Sequence, residues 1–169
     1  MGSEMCIRDS YDALYHAAHQ TMEELSADPK HLGARIGYIC VLHTWGSRMN
    51  YHPHLHTIVL GGGLDAANKW KDKGKKFFFP VKVMSAVFKK YYLCELKQLW
   101  EEKKLEYHGT AAHLKNHYEF KVLLNSLYDK NWVVYTKEAF NGANSVIRYL
   151  GRYTHRIAIS NRRIVSMTD

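Results

Sequence analysis

Cysteine is scarce and scattered in this chain. Cys6, Cys40 and Cys94 lie far apart, and no Cys-x-x-Cys pair occurs among its 169 residues. An odd, dispersed set argues against a disulfide framework and a cysteine-built zinc site. It leaves the three as small buried hydrophobes. Long apolar runs are lacking too. The longest uncharged apolar stretch, Ile36 to Ser47, is too short to cross a bilayer and contains His43. No charged segment followed by an apolar one opens the chain, so a signal peptide is not expected and a cytoplasmic location is. Internal repeats and low-complexity linkers are missing as well.

What is present is a folded-domain composition. Hydrophobic residues make up 46% and aromatics 13%, which excludes a disordered tail. The length fits one domain with a substantial core. The net charge of +8 is concentrated in two windows. Lys69 to Lys76 carries five lysines and one aspartate, and Lys137 to Arg163 carries six basic residues and one acid. Those windows net +4 and +5, so the rest of the chain is close to neutral. Such local charge suits a surface that neutralises phosphates, although a solvated lysine loop beside an arginine-studded helix would look the same.

The first ten residues show no periodic pattern and read as a non-native or disordered leader, leaving residues 11–169 as the domain. Tyr11 to Leu25 reads as a helix with Leu14, Ala18, Met22 and Leu25 on one side, followed by a loop at Asp28-Pro29 and Gly33. Ile36 to Trp45 has the pattern of a strand buried on both faces. Gly46 to Pro53 is a polar turn, and His54 to Leu60 a second strand stopped by Gly61-Gly62-Gly63, together an antiparallel hairpin. Phe77 to Val83 suggests an edge strand because of Pro80. Helices are expected over Met84 to Leu105 and His113 to Leu127, and a buried strand over Trp132 to Thr136. Asn144 is an N-cap candidate for a helix to about His155, and Ile157 to Met167 suggests a last hairpin. The sum is α+β, an antiparallel sheet with flanking helices.

Two small constellations carry chemistry. In Tyr51-His52-Pro53-His54-Leu55-His56, a strand places His54 and His56 on one face, their Cα atoms roughly 7 Å apart, while Leu55 points the other way. Two imidazoles so placed can converge on one divalent ion. His52 lies before Pro53 and is the weaker candidate. A third ligand is open between His43, at the end of the preceding strand, and a group elsewhere; a hydrogen-bonded histidine would sit equally well at that strand end.

The second is Arg148-Tyr149-Leu150-Gly151-Arg152-Tyr153-Thr154-His155-Arg156. On a helix Tyr149 and Tyr153 fall within about 40° of each other. Arg148, Arg152 and Arg156 form a stripe on one side, and Val146, Leu150 and Ile157 an apolar stripe on the other. The tyrosines lie on the seam, where a phenol can be anchored at its base and reach an arginine-held phosphate. His155 falls beyond the arginine stripe and is demoted as a ligand. Only about one phenol in a thousand is ionised at pH 7, so attack on phosphorus calls for a cation that polarises the phosphate.

The strings VLHTWGSRMNYHPHLHTIVLGGGL, WVVYTK and YLGRYTHRIAISNRR together resemble the two-tyrosine rolling-circle transposases of bacterial insertion sequences, members of the HUH single-strand endonuclease superfamily. The resemblance covers residue 20 or so to the end. It implies a ferredoxin-like antiparallel palm and a Mg²⁺ or Mn²⁺ ion on His54 and His56, with His43 as the candidate third ligand. It implies nucleophiles at Tyr149 and Tyr153, 5′-phosphotyrosine intermediates, and single-stranded DNA, both transposon ends and target, as partner. Lys137 matches a basic position after the last core strand. With Arg148, Arg152, Arg156, Lys73, Lys75 and Lys76 it forms the expected DNA-binding set. A bacterial transposase is expected in the cytoplasm at the nucleoid, with no membrane partner. Family members usually begin with a cysteine-rich zinc segment and a further sheet strand. Neither is seen here, so the domain is expected to be truncated at both ends relative to the family and to lack its N-terminal strand. The alternatives are a catalytically inactive DNA-binding fragment and a phosphoesterase using activated water.

Overall fold

A computed structural model of the chain describes residues 2–46, 50–73, 79–137, 140 and 142–154. It is α+β: a three-stranded antiparallel sheet in the order β1-β2-β3, with helices beside it. The strands are β1 (Arg35–Trp45), β2 (Tyr51–Leu64) and β3 (Trp70–Asp72), and the helices α1 (Gly2–Ala27), α2 (Val81–Glu101), α3 (His117–Asp129) and α4 (Ala143–Thr154). No helix among the described residues is long and apolar enough to cross a membrane. The chain divides into two compact units, one of residues 1–37 and 59–138, the other of residues 38–58 and 139–169.

The first unit holds the helical core. On α1, Ala13, Ala17, Ala18, Thr21, Met22, Leu25 and Ser26 are buried, a stripe repeating every three to four residues. Ala18, Met22 and Leu25 lie on it as expected, while Leu14 is half-buried. The small side chains let α1 lie against α2. The buried Thr21 hydroxyl donates to the Ala17 carbonyl at 2.6 Å and so is satisfied within its own helix. Leu32, Ala34, Ile36, Phe79, Met84 and Phe120 complete the core, the larger side chains each contributing on the order of 1.5–3 kcal/mol by burial. The helix begins at Gly2, nine residues before the expected Tyr11 start. Extending a formed helix fixes only one residue per added bond.

Gly61, Gly62 and Gly63 do not stop β2; Gly62 pairs with Asp72 and Gly63 with Lys71 in β3. The role of Gly62 and Gly63 is close approach. A Cβ on Gly63 would sit 2.5 Å from the Arg35 carbonyl oxygen, and one on Gly62 2.5 Å from that of Lys71 and 2.6 Å from the Trp70 indole. The lysine window is thus partly strand, and Lys75 and Lys76 lie outside the described residues. Asp65 closes the β2–β3 turn by accepting from the Ala67 and Lys69 amides, while Asn68 takes a φ of 57°.

Residues 81–83 are helical, not an edge strand. Pro80, extended at φ −61° and ψ 128°, is the residue before the first turn, and its carbonyl accepts from the Met84 amide. Lys103, at φ 58°, ends α2 short of Leu105. A 3-10 turn (Gly109–Lys115) takes up the start expected for the next helix. Asn116 caps α3 by accepting from the Tyr118 and Glu119 amides at 2.8 and 3.4 Å.

Residues 132–136 form no ladder strand. The Trp132 ring packs on Phe88 and Tyr92, its carbonyl accepts from Ser85, and Val133 and Tyr135 are 92% and 80% exposed. The segment keeps the alternation of a strand, but its anchor is a helix. Cys94, expected in the core, is exposed on α2, whereas Cys40 is half-buried.

In the second unit, β1 is buried at His43 but half-exposed over much of its length, so it is not covered on both faces. The Gly46 amide donates to the Asn50 carbonyl, and β2 starts at Tyr51 and so takes in His52 and Pro53. Helix α4 starts at Ala143, after Gly142 at φ 86°, which places Asn144 in its first turn. The expected hairpin over 157–167 lies outside the described residues, as do His155 and Arg156.

Candidate metal centre and its tyrosine

All parts of this site belong to the second unit. Alternation along β2 puts His54 and His56 on one face, and β1 brings His43 to the same place. Each of the three offers a ring nitrogen within 4.8 Å of the others. The ring centroids lie 5.5 Å (His43–His54), 4.5 Å (His43–His56) and 4.9 Å (His54–His56) apart. Among the described residues the cluster is built of imidazoles alone.

The Nε2 atoms of His54 and His56 are 3.1 Å apart. Two donors at right angles on an octahedral ion with bonds of about 2.1 Å would be separated by about 3.0 Å. The spacing fits a shared cation. Imidazole nitrogens suit Mn²⁺ and later transition ions better than Mg²⁺, which prefers oxygen.

Each ring is held by its neighbours. His43 is 5% exposed and stacks on Trp45, with centroids 5.1 Å apart and planes within 10°. His54 Nδ1 donates to the His52 carbonyl at 2.7 Å, the outer hydrogen bond that sets a metal-binding histidine's tautomer. His52 therefore contributes backbone; its ring is exposed, 5.0 Å from that of His54. His56 Nδ1 lies 3.1 Å from the Tyr149 hydroxyl. Tyr149 rests on Phe140, with ring centroids 5.0 Å apart. Cys40, three residues before His43, bonds with the Thr57 hydroxyl at 3.2 Å. Burial pushes its thiol up, so it stays protonated and inert.

Helix α4 holds Tyr149 half-buried between half-buried Val146 and Leu150 and exposed Arg148. Arg152 and Tyr153 follow on the same helix, and only their backbone is described. Lys137 is exposed on the extended segment of the other unit. There the ammonium of Lys73 donates to the His31 carbonyl, which occupies one of its three protons. Trp45 and Phe140 were not singled out from sequence. Trp45 carried a usable signal, since it stands two residues from His43 on the same strand face. Phe140 carried none.

A family model described as "Putative transposase" (Y2_Tnp) matches residues 37–169, a span that includes every residue of this site. The chain is 41% identical over 160 residues to "Putative transposase y4qJ" of Sinorhizobium fredii (strain NBRC 101917 / NGR234), covering 94% of this chain and 40% of that protein. It is 28% identical over 159 residues to the "Transposase for insertion sequence element IS801" of Pseudomonas savastanoi pv. phaseolicola, covering 94% and 37%. The chain spans 37–40% of the length of these curated relatives. No solved structure matches it.

Proposed function

The chain belongs to the Y2 transposase family, and we propose that it cuts and rejoins single-stranded DNA through tyrosine, with a Mg²⁺ or Mn²⁺ ion held by His43, His54 and His56. The supporting observation is the 3.1 Å contact that brings the Tyr149 hydroxyl onto one of the three clustered histidines. Three neutral imidazoles bring no negative charge, so a divalent ion among them would keep its charge to polarise a phosphodiester.

In this reading Tyr149 Oη attacks the phosphorus. The P–O3′ bond breaks, a 5′-phosphotyrosine forms, and the departing 3′ oxygen takes up a proton to become a free hydroxyl. The phosphotyrosine conserves the ester, and the reverse attack by a 3′-hydroxyl rejoins the strand. Tyr153, one turn on, supplies a second nucleophile while the first is loaded. Arg148, Arg152, Arg156, Lys137, Lys73, Lys75 and Lys76 supply contacts to the DNA phosphates.

The test mixes the protein, Mn²⁺ and single-stranded oligonucleotides bearing candidate element ends. The expected product is a covalent protein–DNA adduct that is lost when Tyr149→Phe and Tyr153→Phe are combined. An adduct that survives the double substitution refutes the nucleophiles. Free 5′-phosphate ends with no trapped protein would mean hydrolysis by activated water. Salt-sensitive binding without any adduct would mean a DNA-binding fragment.

A further inference from the structure

Trp70 on β3 stands opposite Leu64, and its indole leans over Gly62. A Cβ on Gly62 would lie 2.6 Å from Trp70 Cζ2 and 2.8 Å from Cε2, so the glycine is what lets the ring come this close to the sheet. An aromatic seated on a neighbouring glycine steadies a sheet edge, and that accounts for one side of the ring. It does not account for the other. Trp70 is 55% exposed, and among the described residues its indole N–H has no hydrogen-bond partner and its ring no aromatic or cationic neighbour. Alternation along β3 sorts the charges by face. Lys71 pairs with Gly63 on the side that packs on Leu32, with its ammonium beside Gly33. Lys69, whose carbonyl continues the ladder by accepting from the Asp65 amide, falls on that same side, while Asp72 shares the face of Trp70. Both lysines are exposed, and neither ammonium has an ion-pair or hydrogen-bond partner among the described residues.

β3 is an edge of the described sheet. A line of phosphates is drawn to the lysine side of this edge and repelled by Asp72 from the indole side, which leaves the ring for what hangs from the phosphates. Resting on the reading of single-stranded DNA as substrate, we propose that Trp70 is a stacking platform for an unpaired base, with Lys69 and Lys71 holding the phosphates that flank it. Every base has a π-face, so the platform grips the strand without reading its sequence. The seat on Gly62 fixes the ring before the strand arrives, which lowers the ordering cost of binding. A duplex, its bases already stacked on one another, gains nothing from the ring.

Fluorescence anisotropy of a labelled oligothymidylate reads binding to the intact chain, without divalent ion so that no cutting intervenes. Trp70→Ala should weaken binding about 5- to 150-fold, the usual worth of one stacked base. Trp70→Leu keeps an apolar cover over Gly62 but no ring, and should lose as much. Trp70→Phe should stay within a few-fold of the native chain. Lys69→Ala and Lys71→Ala should each lower the slope of affinity against salt, on logarithmic axes, by about 0.7, and Trp70→Ala should leave it unchanged. A duplex of the same length should be indifferent to Trp70. The platform is overturned if Trp70→Leu binds like the native chain, if duplex and single strand lose equally, or if both lysine variants keep the native slope. Dispersal of a dimer by Trp70→Ala with DNA binding intact would assign the face to a second copy instead. Each of these results leaves the tyrosine chemistry standing. If the native chain binds no single strand, that reading fails and the platform with it. If it binds through Trp70 but forms no adduct with Mn²⁺, the platform holds and the cutting chemistry fails.

Discussion

The two ends of β2 put the same backbone to opposite uses. Its first half, in one compact unit, carries side chains that converge: His54 and His56 reach across to His43 and Tyr149. Its second half, in the other unit, works by having no side chains, because Gly62 and Gly63 let flanking backbone approach where a Cβ would stand 2.5 Å from a carbonyl oxygen. A reactive end can lose a side chain and still fold. A close-packed end cannot gain one.

The largest effect should come from breaking the packed end. Gly63→Val places atoms against the Arg35 carbonyl and should cost on the order of 3 kcal/mol or more, read as a lower urea midpoint. The reactive end should behave in the reverse manner. His56→Ala removes a ligand and should lower Mn²⁺ affinity at least as much as the ~10–100-fold typical of an outer partner, by calorimetry, with a change in stability below about 1 kcal/mol. A smaller effect is expected from Trp45→Leu, which leaves all three histidines but takes away the ring stacked on His43. Mn²⁺ affinity should fall by a few-fold, and a loss as large as that of His56→Ala would contradict the division between ligand and support.

The smallest effect lies away from both ends. Glu24 accepts from Lys90 and from Tyr91, and the Lys90 hydrogen bond first of all holds its carboxyl below the usual carboxylate range. A depressed folded pKa contributes stability above the unfolded value and loses it as pH falls through the folded value. Both partners are well exposed, so Glu24→Gln should cost under about 1 kcal/mol at pH 7. That difference should vanish in acid below the carboxylate range, as urea melts at the two pH values would show.

The contrast along β2 also explains what the sequence disclosed. Alternation alone places His54 and His56 on one face, and helical spacing places Tyr149 between an arginine and an apolar stripe. These are local periodicities, which the chain carries whatever surrounds it. The glycine run looks like a stop because its purpose lies in the neighbouring strands, Arg35 on one side and Lys71 on the other. Residues 132–136 have the composition of a buried strand, yet Trp132 is claimed by Phe88 and Tyr92, so a tertiary contact overrides the local preference. Asn144 looks like a cap but falls in the first turn of α4, which starts at Ala143, whereas the capping Asn116 lies hidden inside the helix expected from His113.

The proposed chemistry needs a cation held where the strand histidines meet Tyr149. Anomalous diffraction from crystals of the protein soaked in Mn²⁺ tests it most directly. The predicted result is a peak at bonding distance, about 2.0–2.3 Å, from ring nitrogens of His43, His54 and His56, with Tyr149 Oη still on His56 Nδ1. A manganese peak away from these three rings, with none between them, would contradict it.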